Sequence, residues 1–323
     1  MNIVITGGAG FLGAMLTQTL LKNYSDTIES LTVVDRVAPS NSVTQDLRVK
    51  VIVADITDPQ QVATFIAPTT THVFHLAAIV SSHAEQDFDL GINVNLTATQ
   101  LLLEQCRHVN PAIRFVFSSS LAVFGGQLPD IVTPMTATQP SSSYGTQKAI
   151  GELLVNDYGR KNLVDAISVR LPTICIRPGV PNQAASSFVS GIIREPLKGE
   201  TSNCPVDLDL GLWISSPKTV INNIIHASQL ERSAIKGYRT FNLPGIKVTP
   251  RIMLKAMASQ VDIARTQLVS VKKDTAIEAI VASWPQEIDN THELSLGFQV
   301  DSDFNAVLAS YISTYPIIEM EDV

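Results

Sequence analysis

A chain of 323 residues, 45% hydrophobic and 16% charged, can bury a large core and at ordinary domain sizes divides into about two domains. Its formal net charge of −7 and sequence pI of about 5.4 argue against nucleic acid or an anionic membrane as a partner, while allowing a local basic pocket. The start reads as a core strand and not as a secretory leader, no apolar run approaches the roughly 20 residues of a membrane span, and Cys106, Cys175 and Cys204 are scattered, so the expectation is a cytoplasmic protein with reduced thiols and no metal site.

In chain order, β-branched runs predict strands at Asn2–Thr6, Leu31–Asp35, Val49–Ala54, His72–Ala77, Arg114–Ser119 and Ala166–Leu171. Helical spacing fills Phe11–Tyr24, Gly91–Val109 and Tyr144–Lys161 between them. Nearly continuous apolar strands alternating with helices predict an α/β fold, a Rossmann-type doubly wound parallel sheet covering residues 1–171. From Pro172 the chain becomes rich in proline and loops, which predicts a smaller mixed α/β substrate domain over 172–323. Its helices are expected at Lys218–Arg232, Arg251–Val261, Asp274–Ser283 and Asp303–Tyr315, with "YRTFNLPG" as a strand and the chain returning to the first domain around 213–243. The tail after Tyr315 is expected to fray.

The opening stretch "NIVITGGAGFLG" sets Gly7, Gly10 and Gly13 between the first strand and the first helix. In that context Gly7 makes the tight turn, Gly10 lets a pyrophosphate approach the backbone, and Gly13 lets helix and sheet pack closely. The helix start, with Phe11 and Leu12 in its first turn, presents N–H groups and partial positive charge to the phosphates. Asp35 ends the next strand, where a carboxylate binds ribose hydroxyls and repels a 2′-phosphate, so NAD is the expected cofactor; Arg36 beside it would tolerate NADP. Asp55 and Ile56 follow the third strand, with Asp55 placed near the adenine or, alternatively, as the helix cap before Pro59.

The fifth strand ends in "FVFSSS" at Ser120, on the sheet edge where open α/β folds bind ligands. Tyr144 and Lys148, in "YGTQK", stand four apart and share one helix face. A neighbouring ammonium is expected to lower the tyrosine pKa, so that Tyr144 takes a proton from a substrate hydroxyl while Ser120 holds the oxygen. Lys148 would also bind the nicotinamide ribose.

Taken together, "TGGAGFLG", "VVD", "HLAA", "SSSLAVFG", "YGTQK" and "SVRLP" resemble the extended short-chain dehydrogenases/reductases, the group of NAD-dependent epimerases and dehydratases. The resemblance implies a Ser120, Tyr144, Lys148 triad, cofactor contacts from Ala77 and Ala78, Ser81 and Ser82 at the pocket, and Asn93 as a nearby structural group. It also implies a homodimer through the helical segments 91–109 and 144–161, whose Leu101, Leu102, Leu153, Leu154 and Val155 lie on more than one face. His75, in an apolar strand, reads as a hydrogen-bonded core residue.

Sugar-nucleotide members of that group carry Arg-x-x-Asn-Val-Tyr-Gly-Pro after the sixth strand. Here the segment is "RLPTICIRPGVPN", with Thr173 in the place of the asparagine. This segment and the ending "LGFQVDSDFNAVLASYI" resemble a subgroup, the D-erythronate dehydrogenases, which implies oxidation of a four-carbon sugar acid at C2. A sugar acid needs a cation for its carboxylate, and Arg177 and Arg194 are the candidates, each alternatively a surface ion-pair partner. Ser186, Ser187 and Asn182 are candidates for the hydroxyls, and Trp213 reads as core. A nucleotide-sugar epimerase or dehydratase is the alternative function. A catalytically silent NAD-binding regulator fits poorly with an intact triad.

Overall fold

A computed structural model describes residues 1–39 and 45–317, so residues 318–323 of the tail expected to fray lie outside the described residues. The strands in chain order begin with β1 (Asn2–Thr6), β2 (Ser30–Asp35), β3 (Val49–Val53), β4 (His72–His75), β5 (Arg114–Ser120) and β6 (Asp165–Leu171). They continue with β7 (Thr173–Ile174), β8 (Ser202–Cys204), β9 (Leu212–Ser215), β10 (Thr240–Asn242), β11 (Ile246–Val248) and β12 (Val269–Val271).

The first compact unit comprises Met1–Val123, Ser143–Arg170 and Ile221–Phe241. Its seven-stranded sheet has the order β10-β6-β5-β4-β1-β2-β3, and the pairs from β3 across to β5 are all parallel. The expected doubly wound sheet is therefore present. Strand order reverses between β1 and β4, where Thr6 stands beside His75, and this opens a crevice at the carboxyl ends of the two strands. Ile3, Val4 and Ile5 of β1 are buried, as a strand covered on both faces requires.

The expected helix over 91–109 is in fact three pieces: Phe88–Gly91, a wider π turn over Ile92–Thr97, and an α-helix over Ala98–Val109. The wide turn changes which side chains face inward, so that Asn95 is buried and Asn93 is exposed.

Residues 221–241 return to this unit, and a buried carboxylate anchors them. Asp165 accepts from Arg114 Nε at 2.9 Å and Arg239 Nη2 at 2.7 Å, and pairs with Arg232 Nε at 2.9 Å. Arg114 in turn donates to the carbonyls of Ala227, Ser228 and Leu230.

The second unit takes Phe124–Ser142, Leu171–Val220 and the chain from Asn242. Two boundaries differ from the sequence expectation. The segment 124–142, expected in the first domain, has its backbone satisfied in the second: Val132 N–H donates to Glu287 O at 2.9 Å, and Asp289 N–H donates to Val132 O at 2.8 Å. The return begins at 221 and not at 213, because β9 pairs with β11 and β7 in this unit's three-stranded sheet. The core here gathers Cys175, Ile192, Ile193, Met253, Met257, Phe304 and Leu308. All three cysteines are free and buried. Among the described residues, no helix is long and apolar enough to cross a membrane.

Candidate active site

The glycine loop is shaped by contacts that exclude side chains. Gly7 has φ +71°, and a Cβ there would lie 2.6 Å from Ala77 N; a Cβ at Gly13 would strike Gly7 O and the Gly8 backbone. Gly10 differs, because a Cβ there would meet only Gly7 O, at 3.2 Å, so its Cα faces open space. Gly10 also precedes the Phe11–Asn23 helix in extended conformation, with no side-chain cap and no acidic residue in the first turn. The start of the helix, including half-buried Phe11 and Leu12, thus presents its dipole to an anion without a competing carboxylate. Asp35 lies at the rim, accepting from Ala9 N–H at 3.0 Å. This is a cradle that fits a dinucleotide pyrophosphate with a ribose beside Asp35.

Asp55 accepts from Thr57 N–H at 2.9 Å and Thr57 Oγ1 at 2.7 Å, which holds its carboxyl below the usual range, and it lies 4.0 Å from Arg36. It is not the helix cap; Asp58 caps the Pro59–Phe65 helix, receiving Gln60 N–H. The Ile56 side chain packs in the core with Val34 and Ala54, which leaves main-chain atoms for the ligand contact expected of it. Ala77 and Ala78 are half-buried beyond β4 next to Gly7, and Ser81 is buried at the start of the Ser81–Gln86 helix with half-buried Ser82 after it.

Ser120, Tyr144 and Lys148 come together. Ser120 is the last residue of β5, and its hydroxyl bonds to that of Tyr144 on the Ser143–Arg160 helix. Lys148, 1% exposed, donates from Nζ to Ser118 O at 2.8 Å and sits 4.6 Å from the Phe117 ring centroid and 5.8 Å from that of Tyr144. The expected depression of the tyrosine pKa is not found: burial pushes the phenol up to about 12, against the Ser120 hydrogen bond, which lowers it. Burial is the largest cause, and the Lys148 ammonium spends its hydrogen bond on Ser118 O. Burial likewise pushes Lys148 down to about 7, opposed by the charge of Glu152. His75 is the core residue expected, fully buried between Thr6 Oγ1 (2.7 Å) and Thr99 Oγ1 (2.9 Å) and pushed down to about 3, first by burial and then by the charge of Lys148.

Asn95, not the exposed Asn93, is the structural asparagine of this region. Its Oδ1 accepts from Ile79 N–H at 2.8 Å, and its Nδ2 donates to Ile79 O at 3.0 Å and Gln147 Oε1 at 2.7 Å. It thereby ties the segment after β4 to the helix of Tyr144 and Lys148. The "NVN" spelling offered both asparagines; only the π turn chose between them. Two further residues escaped the sequence reading. Glu152 and Arg170 form a buried ion pair behind Lys148, and the visible signal was a carboxylate four residues beyond the lysine.

In the second unit the two candidate arginines part. Arg194 is 2% exposed, and its guanidinium donates to Arg177 O at 2.8 Å and to Glu195 Oε1 at 2.5 Å. It is therefore an internal strut, and its expected role as a carboxylate clamp is withdrawn. Arg177 is half-buried, with its backbone N–H held by Ser190 Oγ at 2.9 Å. Burial, and then the charge of Arg194, hold its guanidinium below its ordinary pKa. Ser187 Oγ accepts from Asn182 N–H at 3.1 Å, and Asn182 Oδ1 accepts from Ala184 N–H at 3.2 Å, so these groups serve their own loop. Ser186 precedes the Ser187–Leu197 helix without capping it through its side chain, Thr173 is buried in β7, and Trp213 is buried as expected.

Residues 3–212 match the model of the NAD dependent epimerase/dehydratase family. The chain belongs to that family. NAD is accordingly its cofactor, and the Gly10 cradle and Asp35 are the features that fit it. The chain is 52% identical to a D-erythronate dehydrogenase of Haemophilus influenzae, over 97% of this chain and 99% of that relative. It is 45% identical to a D-erythronate dehydrogenase of Cupriavidus necator, over 97% and 98%. Among solved structures, a nucleoside-diphosphate-sugar epimerase from Agrobacterium tumefaciens superposes with TM-score 0.91 and 35% identity, over 98% of this chain and 94% of that one.

Proposed function

We propose that this family member is a dehydrogenase that oxidises the C2 hydroxyl of a four-carbon sugar acid, D-erythronate, to the 2-oxo acid. The observation that carries the chemistry is the Ser120–Tyr144 hydroxyl pair at the carboxyl end of β5, with Lys148 buried beside it. When bound, NAD supplies the hydride acceptor. Ser120 holds the C2 oxygen by hydrogen bonding, and Tyr144 accepts the hydroxyl proton at its Oη as the C2–H bond breaks and the carbonyl forms. Lys148, as an ammonium, donates to the ribose hydroxyls, and its charge near the Tyr144 ring offsets part of what burial costs the phenolate once the proton is to move. Gly7, Gly10, Phe11, Leu12 and Gly13 hold the pyrophosphate, Asp35 the adjacent ribose, and Ala77 and Ala78 line the cofactor. Arg177 is the candidate for the substrate carboxylate.

Two relatives named D-erythronate dehydrogenase, similar over nearly their whole lengths, support the substrate. So does Thr173, which stands where sugar-nucleotide enzymes carry asparagine. The Agrobacterium protein's name favours a second reading, a nucleotide-sugar epimerase. The two differ in redox balance, because an epimerase returns its hydride. A panel of C4 to C6 sugar acids assayed for NADH formation should give the highest kcat/KM with D-erythronate. Interconversion of a UDP-hexose without net NADH, with every short sugar acid ignored, refutes the proposal.

A further inference from the structure

Behind the triad lies a buried charge pair that the proposed chemistry does not use. Glu152 stands four residues after Lys148 and eight after Tyr144, so the three side chains share one face of the Ser143–Arg160 helix. Arg170, on β6, donates from Nε to Glu152 Oε1 at 2.8 Å and from Nη2 to Oε2 at 2.7 Å. Glu152 Oε1 also accepts from Ser119 Oγ at 2.5 Å. Ser119 lies between Ser118, whose carbonyl receives Lys148 Nζ, and Ser120, which bonds Tyr144. The carboxylate thus grips the end of β5 at the residue flanked by both contacts of the triad.

Charge explains why a carboxylate and not an amide occupies this position. Lys148 and Arg170 are two buried cations, and Glu152 is the carboxylate that pairs with Arg170 and whose charge supports Lys148; the Tyr238 phenol, raised first by burial, also feels this pair. From the other elements packed on Lys148, β5 contributes the Ser118 carbonyl and the Phe117 ring, β4 contributes neutral His75, and its own helix contributes Tyr144. Without Glu152 two like charges would share a dry site. The guanidinium cannot release a proton there, so the lysine would.

We infer that Glu152, fixed by Arg170 and Ser119, is a positioning residue whose charge holds Lys148 as an ammonium and registers β5 against the triad helix. The inference rests on the proposed roles of Tyr144 and Lys148, but its test does not need turnover. Burial already brings Lys148 to about 7, with the charge of Glu152 as the opposing influence. A lysine whose folded pKa lies below its unfolded value costs stability most below the folded pKa, and the cost fades as pH rises through it. Glu152→Gln keeps the shape and most hydrogen bonds while lowering that folded pKa further.

The thermal melting deficit of E152Q against wild type should therefore be largest near pH 5 and shrink by pH 9, by about 3–5 °C for each tenfold loss of Lys148 proton affinity. The K148M background should abolish the pH-dependent part. The pair E152Q/R170M removes one cation together with the carboxylate and leaves the net charge around Lys148 unchanged, so it should fold and show a nearly flat deficit, while R170M alone should show its smallest deficit near pH 5; R170M stands in if E152Q does not fold, and a deficit of R170M that does not vary with pH overturns the inference. A deficit for E152Q that is constant across this range, or unaltered by K148M, overturns the inference and reduces Glu152 to packing. The kinetic arm asks that the basic limb of the sugar-acid oxidation profile move to lower pH in E152Q, whereas Glu152→Asp should lower kcat with the limb in place. Absence of sugar-acid oxidation in wild type would refute the proposed substrate and leave the melting test standing.

Discussion

Replacing Arg194 by methionine separates a structural arginine from a substrate-binding one. The guanidinium is almost fully enclosed, and its loss removes the donor to Arg177 O and the partner of the Glu195 carboxylate, itself mostly buried. Breaking a buried ion pair by removing one member costs about 3–5 kcal/mol, because the remaining charge stays unsolvated. At about 2–4 °C per kcal/mol for units of this size, melting should fall by roughly 6–20 °C. The Ser187–Leu197 helix carries the arginine and also Ser190, which holds the Arg177 backbone, so the second unit should report the loss. Thermal melts followed by circular dichroism, with kcat/KM measured well below the transition, provide the assay. An unchanged melting temperature with collapsed kcat/KM would refute the assignment and return Arg194 to the substrate.

Tyr144→Phe should lower turnover by at least about 100-fold with little change in NADH affinity, since proton transfer is worth that much and the ring remains; near-normal turnover would exclude it as the proton acceptor. Arg177→Met should reduce kcat/KM for the sugar acid by about 30- to 1000-fold, the loss of one charged hydrogen bond; an unimpaired variant would remove Arg177 from the site. Asp35 should give NAD the higher kcat/KM, and steady-state kinetics with both coenzymes decide it, a preference for NADP shifting the emphasis to Arg36. A homodimer is expected through helices that leave Leu153 60% exposed, and a monomer mass in light scattering at micromolar concentration would count against it.

The glycine spacing, the carboxylate at the end of the second strand and the four-residue Tyr–Lys interval were legible in the sequence because each is a local rule. A tight turn needs glycine, a strand end fixes where Asp35 lies, and a helical period places Tyr144 and Lys148 on one face. The doubly wound order followed from apolar runs alternating with helices, again a local pattern. Long-range pairing decided the rest. Only the π turn over Ile92–Thr97 buried Asn95 in place of Asn93, and only the backbone pairing of Val132 with residues near Ile288 moved 124–142 to the second unit. Arg177 and Arg194 look alike as letters, and the tertiary structure set them apart by enclosing one guanidinium with a glutamate. The tyrosine pKa went the same way: spacing puts an ammonium nearby, but burial, opposed by the Ser120 hydrogen bond, sets the sign of the shift, and burial belongs to the packed fold.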